Sequence, residues 1–259
     1  MDKVTGRLVA LKLLSTTSAH HIAHVRREVY ALHRLQMEGV VRLLEVGTHA
    51  AEPFLVLELV DGTPFPGRHR SPTGQDLTHC TLALLAVLAR VHAAGIVHGD
   101  IKPSNVLVSE DGRVTLLDFG LSRDATQDLA ACEVGADLAG TPRYLSPEQV
   151  LGAPPDARAD LYALGVMVFE AVSGRPPFPD DSFWPRVLER RTPPAPRLIE
   201  AAPHVNPALA AVVDHLLVID PAARLQSAAA AMQALDHEPM WQSPGRPTTR
   251  AAAPLGDHA

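Results

Sequence analysis

Apolar and polar positions along the chain predict short strands around a single helix in the first sixty residues, and mostly helices afterwards. Arg7–Leu14 (RLVALKLL) is aliphatic and β-branched over the length of a strand. His20–Leu35 sets Val25, Val29, Leu32 and Leu35 on one stripe with charges between them, the spacing of an amphipathic helix. Val40–Val46 and Phe54–Val60 read as two further strands. Asp61–Asp76 is rich in Gly, Pro and polar residues and predicts a linker. Leu77–Ala94 comes next, with Leu77, Leu84, Leu88 and Val91 on one helical face, stopped by Gly95. Leu161–Val172 is apolar almost all round, which predicts a helix in the middle of a core. Asn206 before Pro207 pairs an N-cap with a first-turn proline, and Ser227–Leu235 predicts the last helix. The final 21 residues carry four prolines and little apolar mass, so a disordered tail is expected over 239–259. The pattern thus predicts a small unit over 1–60, a large helical one over 61–238, and a tail.

Composition narrows the class. With 46% hydrophobic residues in 259, the chain has material for a sizeable core. A net charge of −6 argues against nucleic-acid binding through a basic surface. Runs without Asp, Glu, Lys or Arg reach only 13 residues, as in Leu77–Ala89, too short to span a bilayer. Two cysteines, Cys80 and Cys132, do not make a disulfide framework, and no basic-then-apolar leader opens the chain, so a cytoplasmic protein is expected. Lysine is scarce: Lys3, Lys12 and Lys102 stand against 20 arginines. Either composition bias alone accounts for this, or lysine persists where a compact ammonium is needed instead of a planar fork.

Chemistry concentrates in Ile96–Gly120, IVHGDIKPSNVLVSEDGRVTLLDFG. Val106–Ser109 and Val114–Leu117 flank Glu110-Asp111-Gly112-Arg113, and Asp-Gly between alternating strands signals a two-residue hairpin turn. With Asp111 and Gly112 as the turn pair, Asn105 falls opposite Asp118 at the open end. An amide oxygen beside a carboxylate suits a hard cation that keeps room for phosphate and water, as magnesium does. Asp100 and Lys102 enter the same end. A carboxylate, a lysine and a metal pair suit phosphoryl transfer, where positioning and charge neutralisation dominate.

HGDIKPSN, with DFG after it, resembles the catalytic core of a bacterial-type (Hanks-type) Ser/Thr protein kinase, and the resemblance runs in order from about Asp2 to Leu235. It implies an α+β, two-lobed fold with a mostly helical large lobe, ATP and Mg2+ as cofactors, and a protein substrate bearing Ser or Thr. Val9-Ala10-Leu11-Lys12 resembles the strand whose lysine binds the nucleotide phosphates, with Ala10 lining that site and Glu28 as the lysine's partner. Leu55–Val60 resembles the hinge, with Leu57 at its gatekeeper position and the backbone of Glu58 and Val60 toward adenine. Gly140–Glu148 resembles the end of the activation segment, in which Thr141 would help seat the substrate hydroxyl. Asp160–Gly165 resembles the start of the central large-lobe helix, and Arg224 the partner of Glu148. By the same resemblance Asp100 would be the base, Lys102 would neutralise the transferring group, and Asn105 and Asp118 would hold magnesium.

Several positions have plainer readings. His98 and Phe119 are expected to pack, and Gly140 and Gly165 to serve the backbone. His20, His21 and His24 have helical spacing but no further ligand, which argues against a metal site. Thr126 is a candidate phosphosite, with a solvated loop as the alternative.

Two features depart from the family. Asp2–Arg7 matches only the stretch after the family's glycine-rich hairpin, and no G-x-G-x-x-G precedes Lys12. The small lobe is therefore expected to be incomplete, leaving the Lys12 strand as a sheet edge. A start recorded too far downstream is favoured over a fragment with impaired ATP handling, a pseudokinase scaffold. Gly99 stands where most relatives have an arginine that reads a phosphorylated activation segment, so dependence on such a phosphate is not expected. Gly99 also brings in small-molecule phosphotransferases of the aminoglycoside type, against which Lys102, Gly140–Glu148 and Asp160–Gly165 argue.

Overall fold

A computed structural model describes residues 6–14, 19–50, 52–67, 75–124, 142–178, 185, 187 and 193–236. Thr126, Cys132, Gly140, Thr141, Lys3 and the expected tail lie outside the described residues, as does the side chain of His20.

Strands β1 (Val9–Leu13), β2 (Leu43–His49) and β3 (Glu52–Glu58) form an antiparallel sheet in the order β1-β3-β2. β1 pairs with β3 from Val9↔Glu58 to Leu13↔Phe54, and among the described residues its other side is an edge. Two-residue alternation sends Leu11 and Leu13 to solvent at 59% and 71% exposure, and leaves Ala10 and Lys12 beside the buried Leu57 and Leu55. Helix α1 (Ala19–Arg34) packs by the expected stripe: Leu32 and Leu35 are buried, Val25 and Val29 partly so.

The strand expected over Val40–Val46 begins later, at Leu43. Val40 instead bridges to Leu116, and the Val41 N–H donates to the Leu116 carbonyl at 3.0 Å. Both valines are buried. Their burial against another strand draws this stretch out of the β1-β3-β2 sheet. A second departure falls in 61–76, expected as a linker: Thr63–Pro64 forms β4 and pairs with the hairpin strand β6 (Val106–Val108).

Helix α2 (Gln75–Ala93) buries Leu84, Leu88 and Val91, and ends at Gly95, whose φ of +77° supplies the left-handed residue of the helix stop. β5 (Ile96–Val97) pairs with β8 (Arg123–Asp124), and β6 pairs with β7 (Val114–Leu116). After the one-turn helix α3 (Pro147–Val150) comes α4 (Ala157–Ser173), capped by Asp156, whose side chain accepts from the Arg158 N–H. Every residue of α4 from Ala159 to Phe169 is buried, as the all-round apolar pattern predicts. Short α5 (Leu198–Ala201) precedes α6 (Pro207–Leu216), where the Asn206 side chain accepts from Ala208 and Leu209 N–H as expected. Gly165 lets α4 meet α6, since a Cβ there would lie 2.9 Å from Leu216 Cβ. α7 (Ala228–Asp236) closes against α2 and α6. The chain has an α+β architecture, a small sheet unit beside a mostly helical one. Among the described residues no helix is long and apolar enough to cross a membrane.

Candidate active site

Lys12 reaches inward from β1 because strand alternation leaves it on the covered face. Its Nζ donates to both oxygens of Glu28 at 2.8 and 2.9 Å, and to Asp118 Oδ1 at 2.9 Å. Glu28 stands on the buried side of α1, with its carboxylate 3% exposed. Burial alone would lower the Lys12 pKa, but the two carboxylates outweigh it and hold it above the ordinary lysine value. Burial tends to raise Asp118, yet Lys12 and the Gly120 N–H prevail and keep it below the usual carboxylate range. Glu28 is pushed upward by burial, with Lys12 offsetting only part of that effect.

The hairpin below this cluster differs from the sequence expectation by one residue. β6 and β7 pair as Val106↔Leu116, Leu107↔Thr115 and Val108↔Val114. The Ser109 N–H donates to Arg113 O and the Gly112 N–H to Ser109 O, so the loop holds three residues, Glu110 to Gly112. Gly112, at φ +81°, takes the left-handed place that such a three-residue loop requires. Asn105 consequently faces Leu117, whose N–H donates to the Asn105 carbonyl at 2.9 Å, and Asp118 lies one residue beyond. The unexpected register is accompanied by a left-handed backbone at Asp118 itself, φ +58°, an uncommon conformation for a side-chain-bearing residue. From there its carboxylate reaches Lys12.

Asp100, Lys102 and Asn105 converge as expected. Lys102 Nζ donates to Asp100 Oδ2 at 2.7 Å, and Asn105 Nδ2 donates to the same oxygen and to the Asp100 carbonyl, both at 2.9 Å. A 3-10 turn, Pro103–Asn105, folds the asparagine back onto the aspartate. The Glu58 N–H donates to the Arg42 carbonyl, and its side chain accepts from the Arg42 N–H. Val60 is half-buried where the chain leaves the sheet. Ala10 sits opposite Leu57 in the β1–β3 pairing.

The donor set fits a hard cation. Asn105 uses its amide nitrogen on Asp100, leaving the amide oxygen as an acceptor. Asp118 Oδ1 takes Lys12 and Gly120, and Oδ2 has no hydrogen bond among the described residues. Two protein oxygens plus phosphate and water is an arrangement magnesium accepts. Among the described residues no group of three or more His, Cys, Asp or Glu side chains is placed to hold a metal ion.

One anchor of the site carried no assigned task in the sequence. Asp160, in the first turn of α4 and 1% exposed, accepts from the His98 N–H at 2.9 Å, from the Gly99 N–H at 2.8 Å, and contacts His92 Nε2 at 2.8 Å. Gln149 Nε2 donates to the Gly99 carbonyl at 3.1 Å. The loop carrying Asp100 therefore hangs from a helix in the middle of the large unit. A carboxylate in an otherwise apolar buried helix was the available signal. His98 and Phe119 do pack, with ring centroids 4.6 Å apart and both fully buried. Arg224, fully buried, makes a two-pronged bond to Glu148 at 2.7 and 3.0 Å.

Comparison with known proteins agrees with this geometry. The family model described as Protein kinase domain matches residues 1–240. A probable serine/threonine-protein kinase of Streptomyces coelicolor is 35% identical over 241 residues, covering 88% of this chain and 35% of the relative. One from Corynebacterium efficiens is 33% identical over 242 residues, covering 88% and 37%. The serine/threonine-protein kinase PknL of Mycobacterium tuberculosis is 34% identical over 264 residues, covering 98% and 64%. The chain thus spans between about a third and somewhat under two thirds of the length of these relatives. With that match over most of its length, and with the lysine, aspartate and asparagine groups assembled as described, the chain belongs to the protein kinase domain family.

Proposed function

We propose that the chain transfers the γ-phosphoryl group of Mg-ATP to Ser or Thr hydroxyls of protein substrates, in a signalling role in the cytoplasm. The supporting observation is the convergence of Lys12, paired with Glu28 and Asp118, on one side, and Asp100, bonded to Lys102 and Asn105, on the other. Small and large units, 1–60 and 61–238, act in this reading as the two lobes that hold nucleotide and substrate.

Asp100 accepts the proton of the attacking hydroxyl as its oxygen bonds to phosphorus and the bond to the β-phosphate oxygen breaks. Asn105 and Lys102 hold its Oδ2, which leaves Oδ1 for that proton. Lys102, an ammonium 2.7 Å from the base, neutralises charge on the transferring group. Lys12 binds the α- and β-phosphates, and Glu28 orients it; Ala10 and the backbone of Glu58 and Val60 line the adenine end. Asn105 and Asp118 would supply oxygen ligands to magnesium. Bound magnesium would neutralise phosphate charge as the leaving group departs.

The test combines nucleotide binding with product identification. Calorimetry should detect Mg-ATP affinity, and mass spectrometry should find phosphoserine or phosphothreonine on a generic basic protein or on the chain itself. Affinity without turnover would favour the scaffold reading. Phosphorylation of an aminoglycoside but of no protein would favour the small-molecule class.

A further inference from the structure

Helix α1 carries Glu28 to Lys12, so whatever fixes α1 fixes that pair. Two residues beyond Glu28, the Tyr30 hydroxyl donates to Asp124 Oδ2 at 2.6 Å. One turn further, Arg34 Nη1 donates to the same oxygen at 2.7 Å and to the Tyr30 hydroxyl at 3.0 Å. Arg34 Nη2 reaches the Ala94 carbonyl, just past the end of α2, at 2.9 Å. Tyr30 and Arg34 are four apart, neighbours on one helical face, and the guanidinium carbon lies 5.8 Å from the Tyr30 ring centroid. Asp124 belongs to β8, paired with the strand β5 that leads into the Asp100 loop, and its carboxylate is 2% exposed.

The physics makes this junction directional. A carboxylate this buried must keep its charged and hydroxyl donors, or lose more than an ordinary hydrogen bond contributes. Arg34 and Tyr30, which supply such donors, both stand on α1. Withdrawing α1 from Lys12 would strip Asp124 of the Arg34 and Tyr30 bonds and break the bond from Arg34 to Ala94. The carboxylate is part of the chain, at the root of the segment beyond β8, so it is present without any modification. Gly99 offers no side chain to gather a phosphate there.

We infer that Asp124, with Tyr30 and Arg34, forms a positioning cluster that holds α1 where Glu28 meets Lys12, a permanent carboxylate latch between the small-lobe helix and the large lobe. None of the three touches the reacting atoms. Their action on phosphoryl transfer runs through Glu28, and the kinetic part of the inference rests on the phosphotransfer function proposed above.

The test uses the full chain and reads both activity and backbone motion. Asp124→Asn keeps the size of the side chain and removes its charge; kcat should fall about ten-fold, the scale of one lost charge-assisted contact. In a Glu28→Gln background the same change should cost less than about two-fold, because the latch then has nothing left to position. Arg34→Lys, which retains a cation, should recover part of what Arg34→Ala loses. Hydrogen exchange should speed up in α1 amides in Asp124→Asn and Arg34→Ala, while α4 stays protected. An equal fall of kcat in both Glu28 backgrounds, or unaltered α1 exchange, would overturn the latch. If Asp124→Asn does not fold, Tyr30→Phe and Arg34→Lys on the half-exposed face of α1 carry the same measurements. A wild-type chain that transfers no phosphoryl group would remove the phosphotransfer reading, and α1 exchange alone would then decide the latch.

Discussion

Replacing Asp160 by alanine should disorganise the loop that carries Asp100. The carboxylate is 1% exposed and takes two backbone N–H groups, those of His98 and Gly99, and the His92 ring at 2.8–2.9 Å. Truncation strands both amides in a buried place, at about 1–3 kcal/mol each, and leaves the His92 nitrogen without its acceptor. Some relaxation follows, so a loss of about 3–5 kcal/mol is expected, a large part of the roughly 5–15 kcal/mol that holds a domain. Burial raises the Asp160 pKa, but the bonds from His92 and the Gly99 N–H more than offset it, and the net direction is downward. A carboxylate lowered in the fold stabilises above its unfolded value, near 3.9, and loses that contribution as pH falls through the folded value. Urea unfolding of wild type and Asp160→Ala, from pH 7 to pH 3, measures both effects. The stability gap should be wide at pH 7 and begin to narrow below about pH 4. A gap under about 1 kcal/mol at pH 7, or one that does not vary with pH, would refute the assignment of Asp160 as the loop's anchor.

Other parts of the fold give further expected outcomes. Arg224→Met removes a fully buried guanidinium from Glu148 and from the carbonyls of Val218, Arg158 and Ile219; about 3–5 kcal/mol should be lost in urea titrations, and a change under about 1 kcal/mol would contradict the pairing. Gly99→Arg forces a side chain onto φ +78°, with a Cβ 2.9 Å from the Leu121 carbonyl; about 1–3 kcal/mol should be lost with no gain in dependence on a phosphorylated segment. Thr126→Ala should leave transfer rates within about two-fold of wild type, and a collapse would show that a phosphate is read after all. The Lys12 pKa is raised, so its stabilising contribution is complete below the unfolded lysine value, near 10.4, and fades only as pH climbs through the higher folded one. The difference in urea midpoint between wild type and Lys12→Met should therefore hold up to about pH 10 and narrow above it.

Local chemistry explains how much of this was legible beforehand. Helices were plain because their stripes and stops are local: Gly95 after α2, Asn206-Pro207 before α6, and the unbroken apolar run of α4. Asp111-Gly112 marks the hairpin turn but not its length. Asp-Gly signals both a two-residue loop and the end of a three-residue loop with Gly112 left-handed, and the choice shifts Asp118 by one place against Asn105. A one-residue slip alternates the faces of a strand, and the left-handed backbone at Asp118, φ +58°, re-aims its carboxylate toward Lys12. Tertiary contacts were less visible. Val40 and Val41 leave their own sheet to meet Leu116, and Thr63–Pro64 joins the hairpin, since burial against distant partners overrides local pattern. Asp160 and Asp124 act through partners 61 to 94 residues away, and nothing in the neighbouring sequence announces those partners. Scarcity of lysine proved informative: Lys12 and Lys102 each grip a carboxylate at the candidate site.

In the proposed reaction Asp100 performs chemistry while Lys12 and its partners hold nucleotide. Single-turnover phosphoryl transfer, measured alongside Mg-ATP affinity in Asp100→Asn, separates the two directly. Affinity should stay within about three-fold of wild type while transfer to Ser or Thr drops about 10²–10⁴-fold, the range for a lost general base. Transfer at the wild-type rate in the purified variant would contradict the account.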